Sequence, residues 1–296
     1  MLEIQFQHKH DARKLHVFLN QLLERESSPI YILQNEDSHI VKCNGAVHQE
    51  KERFIHWAKE ALCQFIMKVK LNDWLREILR DKYHYRDEEE QQQIMDIIHS
   101  VLEGRHEELA TFLPKFSMKE YLMDHINQWF HEHKTFSFDA FVTFRLRSLL
   151  KELRKYVELS LDEYRMEQEY QMFIQMLREF LLGREPKIEQ IHLICIEETI
   201  TFFDQGFNEI KKAELTKMVD RKLLINHPIY IDSSTIAPLL SIAPLKINIY
   251  TSEPDKPILR TIRNIFEERL IIEETNSFEK RKKEYTSLLN EKYNTP

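Results

Sequence analysis

Between Phe138 and Leu182 the chain runs without a glycine or a proline, and its apolar residues recur at helical spacing. Val142, Leu146, Leu149, Leu153 and Tyr156 fall at steps of 4-3-4-3, and Tyr170, Phe173, Leu177 and Phe180 follow at 3-4-3 in a shifted register. A helix returns to one face every 3.6 residues, so each set makes a stripe that must be buried. A chain built round such a stretch is committed to helix packing over much of its length. Ser160 and Glu163 have capping-box spacing at the register shift, which predicts a break there. Gly183 and then Pro186 predict the stop: a left-handed cap, followed by a residue that cannot continue a helix.

Glycine is as scarce elsewhere. The chain has only Gly45, Gly104, Gly183 and Gly206, no two of them close together. Phosphate and dinucleotide loops need clustered glycines, which let the backbone approach the ligand and take up positive φ. The sequence therefore excludes a Walker-type loop, a dinucleotide fingerprint and a kinase glycine loop.

Flanking the long stretch, the pattern changes twice. Leu2, Ile4 and Phe6 alternate as in a half-buried strand, His10–Glu26 reads as a helix, and PIYIL and HIVKC read as strands joined through Gln34–Ser38. From Val47 helical periodicity takes over. The acidic run after Asp87 marks a helix start, and Gly104 marks that helix's end. Ser117 and Glu120 have capping-box spacing before the helix Tyr121–His131. After Pro186, strands at Ile188–Ile196, Thr199–Phe203 and Leu245–Tyr250 alternate with helices at Asp232–Ile242 and Pro257–Glu268. The expectation is an α+β, predominantly α-helical protein in three parts. Residues 1–46 form a small β-α-β-β element, 47–183 a helical domain with a long helix over 138–182, and 184–296 a small C-terminal α/β unit with a charged helical tail.

Composition narrows the function classes. The formal charge of −7 argues against a generally nucleic-acid-coating protein, although it leaves room for a local basic patch. The N-terminus lacks the apolar run of a signal peptide, and no stretch approaches the ~20 apolar residues that span a bilayer. Cys43, Cys63 and Cys195 are odd in number and widely spaced, which fits buried reduced thiols and a cytoplasmic location.

Residues 141–181 carry a family resemblance. Phe141, Phe144, Arg145 and Leu146 open it, and Asp162 and Glu163 supply an acidic pair. Glu169, Tyr170, Phe173, Ile174, Leu177, Arg178 and Phe180 complete the block. With Glu185–Ile188 and the block Ser234–Tyr250, the segment resembles the sporulation protein YtxC family of endospore-forming bacteria. The resemblance implies a sporulation context and brings no catalytic residues with it. Some relatives carry a cysteine pair near the C-terminus; no cysteine follows Cys195 here.

The candidate interaction face lies at the head of the long helix: Phe141, Phe144, Arg145, Arg147, Lys151, Arg154 and Lys155. Cations at these steps suit an acidic partner or phosphates, or else form a solvated face whose stems cover apolar surface. Arg145 sits nearest the apolar seam, where burial would demand a partner such as Asp139 or Glu163. Phe136, Phe138, Phe141 and Phe144 read as core, or alternatively as a docking patch. His125, His131 and His133 are spaced wrongly for metal ligation on one helix face, and His8 and His10 are no better placed. Asp232-Ser233 reads as a helix cap and not as a nucleophile elbow. The expectation is therefore a protein without catalytic residues, cofactor or metal, which binds a protein partner through this face. Nucleic acid on the same face is the alternative, and an enzyme using a pocket of polar groups near Asp232 and Thr251 comes third. The residues leave the oligomeric state open.

Overall fold

The computed structural model describes residues 2–23, 30–34, 39–43, 51–113, 117–132, 135–220, 232 and 234–293. Residues 35–38 of the expected connection, together with Gly45, His133 and Ser233, lie outside them. The protein is α+β and predominantly helical. Its contacts gather into two compact units, Met1–Met166 and Glu167–Pro296.

The first unit opens with strand β1 (Leu2–Phe6), helix α1 (Lys9–Leu23) and strands β2 (Ile30–Gln34) and β3 (His39–Cys43). Helix α2 (Lys51–Phe65) continues through a π turn at Ile66–Lys70 into α3 (Leu71–Lys82). Helices α4 (Glu88–Leu102), α5 (Glu107–Ala110) and α6 (Met118–Glu132) follow, then strand β4 (Thr135–Ser137) and helix α7 (Phe138–Arg145). The sheet order is β2-β3-β1-β4: β1 runs antiparallel to β3 with Ile4 opposite Val41, and parallel to β4 with Ile4 opposite Phe136. Alternation in β1 sends Leu2, Ile4 and Phe6 inward. Phe6 meets Phe138 at 5.1 Å and Phe65 at 6.0 Å between ring centroids, which ties the sheet to the helices. The Asp87 carboxylate accepts the N–H groups of Glu89 and Glu90, capping α4 at the acidic run.

The helix expected over 138–182 is interrupted, but not at Ser160. Helix α8 (Arg147–Leu181) passes through Ser160 unbroken, and the single interruption is Leu146, at φ −98° and ψ 10°. The Leu146 N–H still bonds the Val142 carbonyl, and its own carbonyl accepts from Leu150, so the ladder is bent more than cut. Ser160 fails to break the helix because it is fully buried between Tyr156, Val157, Leu161 and Tyr164, whose packing outweighs the capping tendency. Gly183 takes φ +71° as the left-handed cap.

The second unit holds strands β5 (Gln190–Ile196), β6 (Thr199–Phe203) and β7 (Glu209–Ile210), and helices α9 (Lys212–Met218) and α10 (Ile236–Ile242). Strand β8 (Lys246–Thr251), helix α11 (Pro257–Phe266), strand β9 (Leu270–Glu273) and helix α12 (Asn276–Tyr293) complete it. The sheet order is β7-β6-β5-β8-β9, with β5, β8 and β9 parallel and β6 antiparallel to β5. One face, carrying Ile191, Leu193, Ile247 and Ile249, packs on Leu177, Leu239, Leu259 and Ile262. At ~1.5–3 kcal/mol for each large apolar side chain fully buried, this face dominates the unit's stability. On the opposite face Phe207, Tyr250 and Phe278 form a smaller cluster with Tyr285 of α12 packed against it.

Candidate functional site

At the head of the long helical stretch, four phenylalanines separate into two environments. Phe136, Phe138 and Phe141 are buried, whereas Phe144 is 74% exposed. Phe141 is fully buried, with Trp129 at 5.5 Å and Phe136 at 6.4 Å, so it belongs to the core and not to the expected surface face. The cause is helical phase. Six residues on from Phe138, Phe144 stands about 120° round the helix from that side of the buried stripe.

Beyond Phe144, Arg147, Lys151, Arg154 and Lys155 are all exposed on α8. Their spacing from Phe144 (i+3, i+7, i+10, i+11) is that of one helix face, carried across the bend at Leu146. Arg145 is half-buried, its guanidinium 5.2 Å from the centre of the Trp129 ring, a cation–π contact. The two carboxylates expected to balance it are engaged elsewhere. Asp139 accepts the Gln7 N–H at 3.2 Å, and Glu163 lies 3.9 Å from His106.

Acidic groups interleave with the cations. Lys155 pairs with Glu152 at 2.8 Å. Glu158 receives both Lys82, at 2.9 Å, and the Tyr83 hydroxyl, at 2.7 Å; these two hydrogen bonds hold its carboxyl below the usual carboxylate range. Between α3 and α8 a groove of about 480 Å³ has Trp74, Ile78 and Leu150 among its lining, with Glu77, Asp81, Lys82 and Arg154. The face is thus a mixed-charge surface with an apolar component, better matched to a protein than to a run of phosphates.

Other predicted residues come to little. The His125 ring stacks on Tyr121 at 4.1 Å with its Nδ1 2.8 Å from the Tyr121 carbonyl; His8, His10 and His131 are exposed. Among the described residues no group of three His, Cys, Asp or Glu could hold a metal ion. Burial pushes the Cys63 and Cys195 thiols up to about 11, so neither is a thiolate at neutral pH. Asp232 does not cap α10 with its side chain; its carboxylate holds the Ser234 N–H and hydroxyl in the preceding turn.

The single polar pocket expected near Asp232 and Thr251 is instead two separate clefts. One, of about 470 Å³, is lined by Thr199, Lys212, Thr216, Asp232, Ser234 and Thr235 among others. The second, of about 630 Å³, lies where β8 and β9 end, at Thr251, Ser252, Glu273 and Asn276. The Thr251 hydroxyl there accepts the Glu253 N–H at 3.0 Å.

Comparison with known proteins supplies the family. The family model described as YtxC-like matches residues 56–271, which span both units. The chain belongs to the YtxC-like family. It is 35% identical over 273 residues to the uncharacterized protein YtxC of Bacillus subtilis (strain 168), covering 91% of this chain and 93% of that relative. No solved structure matches it. The YtxC-like match takes in Phe144, Arg145 and the whole basic stripe. Among the described residues, no helix is long and apolar enough to cross a membrane.

Proposed function

We propose that this YtxC-like protein acts in the sporulation programme, in the cytoplasm, by binding another protein through the face of Phe144, Arg147, Lys151, Arg154 and Lys155. The observation that carries the reading is Phe144, a large aromatic 74% exposed at the head of a cationic stripe while Phe136, Phe138 and Phe141 beside it are buried. Aromatic residues and arginine are the types enriched at protein interfaces, and Phe144 shares its face with two of the latter, Arg147 and Arg154. The sporulation context rests on the sequence resemblance.

The test is capture from sporulating cells with the full chain and with Phe144→Ser. A reproducible partner held by the wild-type chain and lost by roughly 30-fold or more with Phe144→Ser supports the reading, since hot-spot aromatics contribute about 2 kcal/mol or more. A partner retained equally by both, or none at all, overturns it. The four exposed cations favour nucleic acid as the second reading. That reading requires retention that falls steeply with salt and is lost when Arg147, Lys151 and Arg154 are reversed in charge.

A further inference from the structure

The sheet face covered by α12 carries two buried polar residues within otherwise apolar strands. His192 of β5 and Asn248 of β8 stand opposite one another in register, 1% and 0% exposed, in strands that otherwise read Ile-x-Leu-Ile and Ile-x-Ile-Tyr. Neither amide atom of Asn248 has a hydrogen-bond partner among the described residues. His192 is fully engaged. Its Nε2 lies 3.3 Å from the Gln190 amide nitrogen, which can only donate, so Nε2 is the acceptor and the ring proton sits on Nδ1, 3.0 Å from the Tyr250 hydroxyl. Burial, with Arg281 and Lys246 nearby, lowers its pKa to about 4, so the imidazole is neutral at physiological pH.

A second, independent feature fixes this ring. Phe207 stacks over it with centroids 4.2 Å apart and planes 27° apart, and does so at φ +61°, a conformation bulky residues rarely adopt. The Asp204 carboxylate enforces that turn by accepting the N–H groups of Gly206, at 2.8 Å, and Asn208, at 2.9 Å. The positive-φ turn thus sets Phe207 against the imidazole in a buried stack.

Beside that buried stack lies a cleft of about 410 Å³, lined by Gln190, His192, Gln205, Phe207, Arg281 and Tyr285, with Glu284 and Leu288. The volume suits a small molecule. Its charge is mixed: Arg281 is bound to Glu273, and with Glu284 in the lining one positive group stands against two negative ones, so anions are disfavoured. What the cleft offers is two carboxamides, each with donor and acceptor capacity, and the half-buried ring of Tyr285. A glutamine amide matches the donor–acceptor edge of a base, and Phe or Tyr rings stack on its face.

We propose that this cleft binds a small, uncharged, planar heterocycle with amide or amidine edges, in the form of a nucleobase or nucleoside. The site is separate from the face assigned to the protein partner and does not depend on it. The experiment is isothermal titration of the full chain with adenosine, guanosine, cytidine and uridine, and with the 5′-monophosphate of whichever nucleoside binds most tightly. Gln205→Ala is the test variant, because Gln205 is exposed and its loss leaves the buried stack in place. The expected result is saturable binding of at least one nucleoside, weakened about tenfold by Gln205→Ala, with the monophosphate weaker than its parent because of Glu284. Absence of binding by all four nucleosides, equal affinity in Gln205→Ala, or tighter binding of the monophosphate would each overturn the proposal.

Discussion

Acid should weaken the second unit through one residue, His192. In the unfolded chain its imidazole titrates near the ordinary value of about 6.5. In the folded protein burial comes first among the causes that bring it down to about 4, followed by Arg281 and Lys246, with Asp204 opposing. Since the folded pKa is the lower one, the unfolded state binds more protons between the two values. Stability is therefore complete above the unfolded pKa and falls as pH drops through 6.5 towards 4. A gap of about 2.5 units at 1.36 kcal/mol each gives an upper figure of about 3 kcal/mol, of which about 2 kcal/mol is lost by pH 5. His192 is 1% exposed and little screened by salt, so the shift passes to stability with little discount. The assay is hydrogen exchange of the β5 and β8 amides in wild type and His192→Gln, measured at pH 7 and pH 5 after correction for intrinsic exchange. The variant keeps hydrogen-bonding capacity towards Tyr250 but removes the titrating group. Wild type should lose about 2 kcal/mol more protection than the variant over that interval. Equal losses in the two proteins, or an imidazole signal of His192 titrating at pH 6 or above, would refute the reasoning.

Three further outcomes are expected. Asp87→Ala removes the acceptor for two N–H groups at the start of α4 and should cost about 1 kcal/mol, read as a lower urea midpoint at unchanged slope. Gly183→Ala meets no atom within 4 Å but imposes a β-carbon on φ +71°; it should cost about 1 kcal/mol in thermal stability from backbone strain alone. Cys63 and Cys195, buried and with thiol pKa values of about 11, should react with a thiol-specific reagent only as fast as the protein opens, and at once in denaturant.

Much of the architecture is legible in the sequence because it rests on periodicity and caps. The alternation of Leu2, Ile4 and Phe6, the acidic cap at Asp87 and the stop at Gly183 are local signals, and each stands where the pattern places it. The bend at Leu146 and the unbroken passage through Ser160 are not legible, because core packing around both residues decides them and spacing does not. Strand β4 escapes notice for a similar reason. Thr135–Ser137 is too short for a periodic signal and is a strand only because Leu2–Phe6 lies beside it. At the interaction face, the helical phase that buries Phe141 and exposes Phe144 is implicit in the apolar seam, yet a cluster of aromatics hides it. The His192 cleft has a faint signal in retrospect, a single polar residue within each of two apolar strands. Its partners come from Gln205, Phe207 and Arg281, and only the fold brings these together.

The parallel pairing of Leu2–Phe6 with Thr135–Ser137 joins residues 132 positions apart, as the bond from the Gln7 N–H to Asp139 also does. On a ribosome adding about 5–20 residues per second, one margin of the leading ribbon waits on the order of ten seconds for its mate. Through that interval the nascent chain carries unsatisfied amides and the greasy side of Ile4 and Phe6 towards whatever is nearby, the usual invitation to aggregation. Synthesis, and not the microsecond-to-second chemistry of folding, therefore sets the clock for the amino-terminal half, and chaperone depletion should harm its yield more than that of the carboxy-terminal sheet.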